Sequence, residues 1–455
     1  MKLLAGSAAL LLVAACGDAG DATGGDVTPA DAAAAPDVAA PAIDAAPAID
    51  APPAPSVTFT RHTVDDDADG PAYVAVADLD DDPAPELVVS SLGKSGFPPV
   101  GTVAIYDRGA DLDGWTRTVL DPSVGFPGQP TIVDVDGDDD LDVILPSGFL
   151  VCAIAGSPCG GLAWYEHDGA TWTKHALVSG SALFYHHVEL VDVDGDGRVD
   201  LVTTGEEQTF GGGASRAVVQ WFAGTDDADR FAATPHVIGD GGGSFPRVLD
   251  VDGDGDLDVA SAEFFVAGGS FAWFERTAAP GPDPPDGTWV RHAIDADSGP
   301  AIMLTPVPDL FGDGTLRYVG SNHTNTAKTP PDAWPSAVFA LTPGADATAP
   351  WTKTAISTGI ESRPGSMFSP MAAPGIVGVG DVDDDGDVDV LVSGDGDVHA
   401  YWLEQTVPGT FATHVLEASL GQAGGVTVVD LDGDGDHESI MTGYEDDAIY
   451  VYDHD

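Results

Sequence analysis

From residue 57 onward the chain alternates short apolar runs with turns rich in Gly, Asp and Pro. In one stretch the apolar-biased runs are 185–191, 199–203, 216–222 and 231–238. Runs of this length between turn residues predict strands, and no window sustains the 3.6-residue apolar period of an amphipathic helix. Four short strands in succession predict antiparallel all-β structure. The unit then recurs. Between its first two strands lies the nine-residue run Asp192-Val-Asp194-Gly-Asp196-Gly-Arg-Val-Asp200, and versions of it start at Asp78, Asp134, Asp250, Asp309, Asp381 and Asp430. The starts are 56, 58, 58, 59, 72 and 49 residues apart, a period near 58 with one longer and one shorter unit. A unit that cannot bury its own apolar face must stack on copies of itself, so seven copies predict a repeat fold.

The third and fourth strands carry marks of their own. Third strands end on Trp164-Tyr165, Trp221-Phe222, Trp273-Phe274 or Tyr401-Trp402. Fourth strands repeat an aromatic, a polar stretch with a histidine, and an aliphatic, as at 172–177, 289–294 and 411–416. Aromatics at one place in every sheet are expected to pack between sheets, and the histidines to be packed or hydrogen-bonded, not catalytic. Seven four-stranded sheets describe a seven-bladed β-propeller of antiparallel blades. The last repeat stops after a third strand at 448–452, while a lone strand at 59–64 precedes the first repeat. This N-terminal strand is expected to complete the last blade and close the ring, which removes the exposed sheet edges. The stretch 322–374, rich in Pro, Ser and Thr, is expected to be an insertion between repeats five and six.

Charge sharpens this picture. There are 75 acidic against 16 basic residues, a formal net of -59. Such a surface repels nucleic acid and anionic membrane, so neither is an expected partner. Many carboxylates fall at fixed offsets in the nine-residue run, where they repel one another unless a cation sits among them. Carboxylates at positions 1, 3, 5 and 9, joined by a backbone carbonyl at 7, form a hard oxygen shell that suits Ca²⁺; Mg²⁺ requires a tighter octahedron. An EF-hand is not implied, because position 12 is Thr203 and the flanks are strands.

Four runs are complete: Asp192, Asp194, Asp196 and Asp200; Asp250, Asp252, Asp254 and Asp258; Asp381, Asp383, Asp385 and Asp389; and Asp430, Asp432, Asp434 and Glu438. Each has glycine at position 6. The set Asp134, Asp136, Asp138 and Asp142 has Asp139 there and is expected to bind as well, because aspartate tolerates a left-handed backbone. Asp78, Asp80, Asp82 and Glu86 are weakened by Pro83, which fixes φ negative and lacks an N–H. The fifth run keeps Asp309 and Asp313 but has Phe311 at position 3 and Arg317 at position 9, whose charge is expected to replace a cation. About four to six calcium sites are therefore expected.

These runs and their flanking strands resemble FG-GAP/VCBS repeats, the calcium-loop blades of the integrin alpha-subunit head, over nearly all of 57–455. The resemblance implies a propeller and Ca²⁺, and it extends to the metal ligands but to no ligand-binding residue. The family also includes lectin-like modules and the scaffolds of some polysaccharide lyases and sugar dehydratases. Residues 1–15 read as an export signal: Lys2, an apolar run, then Val13-Ala14-Ala15-Cys16, too short to span a membrane. The segment resembles a bacterial lipoprotein signal, which makes Cys16 the lipidated residue. Gly17 after it, by resemblance to Gram-negative sorting, implies the outer membrane, on its periplasmic or cell-surface side. Residues 16–56, mostly Ala, Pro, Asp and Gly, are expected to be a disordered tether, and 57–455 the propeller. Cys152 and Cys159, in an exported protein, are expected to form a disulfide rather than to bind metal.

In an up-and-down propeller the Asp runs share one face with the third-to-fourth strand turns. The second-to-third and blade-to-blade connections form the other. Loops held by a rigid scaffold are where function is expected. That opposite face is expected to gather Tyr185, His186, His187, Glu206, Glu207, Arg247, Glu263, Asn322, His323, Asn325, Arg363 and Tyr444. His186, Arg247, Glu263 and His323 are the candidate catalytic groups. If His186 and His187 lie in a strand, they point to opposite faces and only one serves a site. No nucleophile elbow, zincin motif, P-loop or dinucleotide fingerprint occurs. The expected function is a calcium-stabilised extracytoplasmic binding or scaffold propeller for a protein or glycan ligand, held to a membrane only through its lipid. One alternative is a carbohydrate-active enzyme, a polysaccharide lyase or sugar dehydratase, working on that face; another is a structural envelope lipoprotein.

Overall fold

The computed structural model describes residues 57–80, 82, 84–94, 99–149, 159–207, 215–228, 230–282, 284–329, 331–365 and 371–454. The signal segment, Cys16, the tether, Pro83 and Cys152 lie outside these residues.

Seven four-stranded antiparallel sheets follow one another along the chain. Six are continuous, at 71–124, 131–181, 188–240, 247–295, 301–358 and 377–417. In the third blade the strands are Val188–Val191, Asp200–Glu207, Arg216–Phe222 and His236–Asp240, paired in that order. The last of these begins later than the apolar pattern predicts. Pro235 has no N–H for a ladder, so the strand starts after it. His186 and His187 precede the first strand, so strand alternation does not govern them.

Blade seven is completed as the ends of the pattern require. Phe59–Asp65 pairs with Ala448–His454, in a register that sets Phe59 opposite His454 and His62 opposite Val451. The innermost strand of this blade, Ala423–Val429, lies against those of blade six and blade one, so the ring closes. Phe59 meets the Trp402 ring edge-on at 5.5 Å. Arg61 bonds Glu417 of blade six at 3.1 Å.

Much of the core lies in layers between consecutive sheets, which is how a half-buried sheet satisfies both faces, and a further cluster joins residues from all round the ring. Trp164, Trp221, Trp273 and Trp402 are all at most 1% exposed. Burying an indole of roughly 200 Å² at about 25 cal/mol/Å² contributes about 5 kcal/mol. Each indole lies over the histidine opposite it in the outer strand, His175, His236, His292 or His414, at centroid distances of 4.5, 4.3, 4.9 and 4.9 Å. The histidines in turn bond Glu166, Asp286, Glu275 and Glu404. The recurring aromatic and histidine marks therefore hold the blades together. Carboxylates on outer strands tie blade one to blade two and blade four to blade five: Asp121 receives Lys174 at 2.6 Å and Tyr165 at 2.7 Å, and Asp295 receives Lys353 at 2.8 Å.

One expectation is corrected. The stretch 322–374 is not an insertion between blades, because it contains the third and outer strands of blade five, Ala337–Thr342 and Thr352–Thr358. In this blade Ala340 stands opposite Thr354, where blades two, three, four and six place Trp opposite His. The marks that reveal these strands elsewhere are thus missing. The extra length is confined to the segments 323–336 and 359–376.

Candidate metal centre

Each Asp run forms the turn between the innermost and second strands of its blade, and its backbone is shaped by its own carboxylates. In blade three, Asp192 accepts the N–H groups of Gly195 at 2.7 Å, Asp196 at 3.1 Å and Gly197 at 2.9 Å. Asp194 accepts Asp196 N–H at 3.0 Å, and Asp196 accepts Arg198 N–H at 2.8 Å. Positions 4 and 6 adopt left-handed backbone, with φ of 77° at Gly195 and 90° at Gly197. Asp139, in the glycine place of the second run, has φ 76°, the conformation aspartate tolerates. In the sixth run the non-glycine is at position 4, where Asp384 has φ 53°.

The position-9 carboxylate has a role that spacing alone does not reveal. Asp200 is 1% exposed and accepts two backbone N–H groups, Val193 at 2.7 Å and Gly224 at 2.7 Å. Asp142, Asp258 and Asp389 repeat the latch, each taking one N–H from its own run and one from the third strand. The residue thus locks the loop to the sheet while its charge remains inside the acidic cluster. In runs one and seven a glutamate does this. Its Oε2 takes the N–H of Leu79 or Leu431 at 2.6 Å. The other oxygens, Glu86 Oε1 and Glu438 Oε1, are buried with no hydrogen-bond partner among the described residues. A buried carboxylate oxygen without a partner is costly, and a cation among hard oxygens removes that cost.

The protonation equilibria carry the same strain. Burial, reinforced by neighbouring aspartates and opposed by the backbone N–H groups, pushes Asp200 up to about 6. It pushes Asp258, Asp389, Glu86 and Glu438 up to about 7. A divalent cation reverses this order by favouring the charged form. Donor atoms converge accordingly: one oxygen from each of Asp78, Asp80 and Glu86 lies within 4.8 Å of the others. The same holds for Asp134, Asp136 and Asp142, for Asp192, Asp194 and Asp200, and for Asp250, Asp252 and Asp254. These clusters are able to hold a metal ion.

The fifth run is built differently. Arg317 places its guanidinium fork on Asp313, with bonds of 2.6 and 2.7 Å, and lies 4.2 Å over the Phe311 ring. This pair holds Asp313 well below the usual carboxylate range. The two residues that depart from the acidic pattern, Phe311 and Arg317, thus supply an internal cation and its platform.

Residues 381–441 match the FG-GAP-like repeat family. The match runs from the start of the sixth Asp run through blade six and past the seventh run, about one period of the propeller. No curated protein matches the chain.

The repeat leaves the opposite face to connections, and there the candidate catalytic groups are engaged by the scaffold. His186 Nδ1 is 2.5 Å from the buried Glu206, and its ring lies among Phe149, Phe184, Phe245 and Phe265. Arg247 donates to Glu189 at 2.7 Å beside His187, not to His186. Glu263 is held by the Arg291 fork at 2.8 and 2.5 Å. His323 Nδ1 donates to the Pro374 carbonyl at 2.8 Å, and Nε2 is 3.5 Å from Asp395. Phe264 and Phe265 stand between His323 and His186. Asn322 and Asn325 donate to backbone carbonyls of Ser298, Pro335, Arg363 and Met371, which pins the long segments of blade five. Tyr185 is buried against blade two, Glu207 pairs with Arg216, Arg363 lies 3.5 Å from Glu445, and Tyr444 packs under Lys94.

Proposed function

We propose that this protein is a calcium-stabilised propeller that presents a binding surface outside the cytoplasm. The observation that carries the reading is the buried, unpartnered Oε1 of Glu86 and of Glu438, each inside a recurring acidic turn. Calcium takes six to eight oxygen ligands at about 2.3–2.6 Å, and carboxylates with backbone carbonyls meet that need. The complete runs are the candidate sites, with Asp134 to Asp142 and the weaker Asp78 to Glu86 as further ones and the Phe311–Arg317 turn excluded. Native mass spectrometry of the chain lacking Cys16, with and without calcium, tests this. About four to six bound ions are expected; zero or one would reduce the aspartates to turn formers.

The ligand in this reading is a protein or a glycan bound at the connections opposite the Asp runs. Support comes from the pairing of His186, Arg247, Glu263 and His323 within the fold, which favours a rigid recognition surface over a catalytic centre. Glycan arrays and pull-downs identify the ligand. Turnover of an acidic polysaccharide that disappears with His186→Ala or Arg247→Ala would replace this reading with an enzyme. The anchor is Cys16, lipidated at the outer membrane, with 16–56 as tether and a Cys152–Cys159 disulfide. Cys16→Ser should release the protein from the membrane fraction; mass spectrometry showing an unlipidated N-terminus beyond residue 16 would refute the anchor.

A further inference from the structure

Where blades six and seven meet, side chains of a different chemistry come together. Asp384 projects from the sixth Asp run, Asp436 and His437 from the seventh, and His454 from the strand that receives the closing strand. None of the four occupies position 1, 3, 5 or 9 of its run. One donor atom each from Asp384, Asp436 and His454 lies within 4.8 Å of the others. The His454 side chain is 5% exposed. Its Nε2 lies 2.9 Å from Asp384 Oδ2, yet it makes no hydrogen bond among the described residues. The contact is therefore a close approach of a buried ring nitrogen to a carboxylate, without the alignment of a bond.

We propose that Asp384, Asp436 and His454 form a second class of metal site, selective for a borderline divalent cation such as Zn²⁺, with His437 as its positioning residue. The donor set decides the metal. Calcium takes oxygen, whereas an imidazole nitrogen with two carboxylates suits zinc. Zinc holds nitrogen and oxygen at about 2.0–2.2 Å, which in a tetrahedron sets donors roughly 3.3–3.6 Å apart. The observed donor atoms, all within 4.8 Å of one another, lie near that spacing. His437 acts on Asp384 from the other side: its Nδ1 is 2.7 Å from Oδ1, and its backbone N–H is 3.1 Å from Oδ2. A ligating carboxylate held from behind in this way is the usual support of such sites. Water completes the shell.

The placement gives the site a task. Asp384 belongs to blade six and the other donors to blade seven, so one ion ties the two blades together. His454 is also the partner of Phe59 in the closing ladder, with their rings edge-on at 5.8 Å. Zinc would thus fix the strand onto which the N-terminal strand docks. This inference does not depend on the calcium reading, because the two sites share no side chain; Asp436, at position 7, would offer calcium only its backbone carbonyl.

The test uses the full chain in excess Ca²⁺ with Zn²⁺ added, followed by gel filtration and elemental analysis. One retained zinc per chain is expected. Asp436→Asn and His454→Gln should each lose it while calcium content stays constant, and His437→Gln should weaken retention by about 10- to 100-fold. Asp436→Asn lies in a turn and keeps the backbone bonds, so it guards against misfolding of the His454 variant. Cobalt substitution adds a spectroscopic readout, since nitrogen-ligated tetrahedral Co²⁺ absorbs visible light and the His454 variant should not. No zinc retained against calcium, or zinc undiminished in Asp436→Asn, would overturn the proposal.

Discussion

Glu438→Gln should stabilise the chain without calcium and lose that advantage with it. The carboxyl is 0% exposed, and burial, aided by Asp432, Asp453 and Asp434 and opposed by Leu431 N–H, raises it from 4.5 to about 7. At about 1.36 kcal/mol per unit, keeping it ionised in the folded chain costs about 3 kcal/mol. The sign follows from linkage: a carboxyl raised on folding stabilises the folded state below its unfolded value and loses that contribution as pH rises through about 7. Glutamine keeps an oxygen for Leu431 N–H and removes the charge. In chelator at pH 7.5 the variant should therefore be more stable than the parent by about 3 kcal/mol, and near pH 4 the gain should vanish. With calcium at about 100 times its Kd, the parent gains about 2.7 kcal/mol per site by mass action, and the variant forfeits that share. Urea unfolding of both chains at two pH values, in chelator and in calcium, reads all four differences. A variant destabilised in chelator, or equally stabilised in both media, would refute the reasoning.

Deleting 17–55 should leave the melting temperature nearly unchanged. Extending the deletion through Val64 should lower it steeply, because Phe59–Asp65 and its contacts to Trp402 and Glu417 are lost and two sheet edges open; equal melting curves would refute closure. Trp273→Ala, at a fully buried indole stacked on His292, should cost about 3–5 kcal/mol in urea unfolding. Asp313→Ala should leave calcium stoichiometry unchanged by native mass spectrometry, because Arg317 supplies the positive charge in that turn.

The propeller was legible because its signals are local and repeated. Runs of four to eight residues set the strands, and the Asp offsets recur once per blade. Ring closure followed from the displaced strand at Phe59, and the pairing with Ala448–His454 matches it. Blade five shows the limit of such reading. Ala340 and Thr354 carry none of the aromatic and histidine marks, so half a blade looked like an insertion although its ladder is intact. Packing supplied by its neighbours fixes these strands where their own side chains do not announce them.

Ligand-type residues were legible in the Asp runs, and their second role was not. The N–H groups that latch Asp200 come from Val193 beside it and from Gly224, 24 residues on, and backbone donors leave no mark in a sequence. Asp384 of blade six and His454 of blade seven meet only because those blades are neighbours in the ring, so no local pattern joins them. On the opposite face the reverse holds. His186, Arg247 and Glu263 stand out as functional types, yet Glu206, Glu189 and Arg291 engage them within the fold. With 16 basic residues against 75 acidic ones, the scaffold places its few cations selectively, as Arg291 on the buried Glu263 and Arg317 on the exposed Asp313. In the remaining Asp runs carboxylates outnumber cations, with Arg198 on Asp196 and Arg230 3.4 Å from Asp136, and that is the physical reason their clusters are able to hold a metal ion.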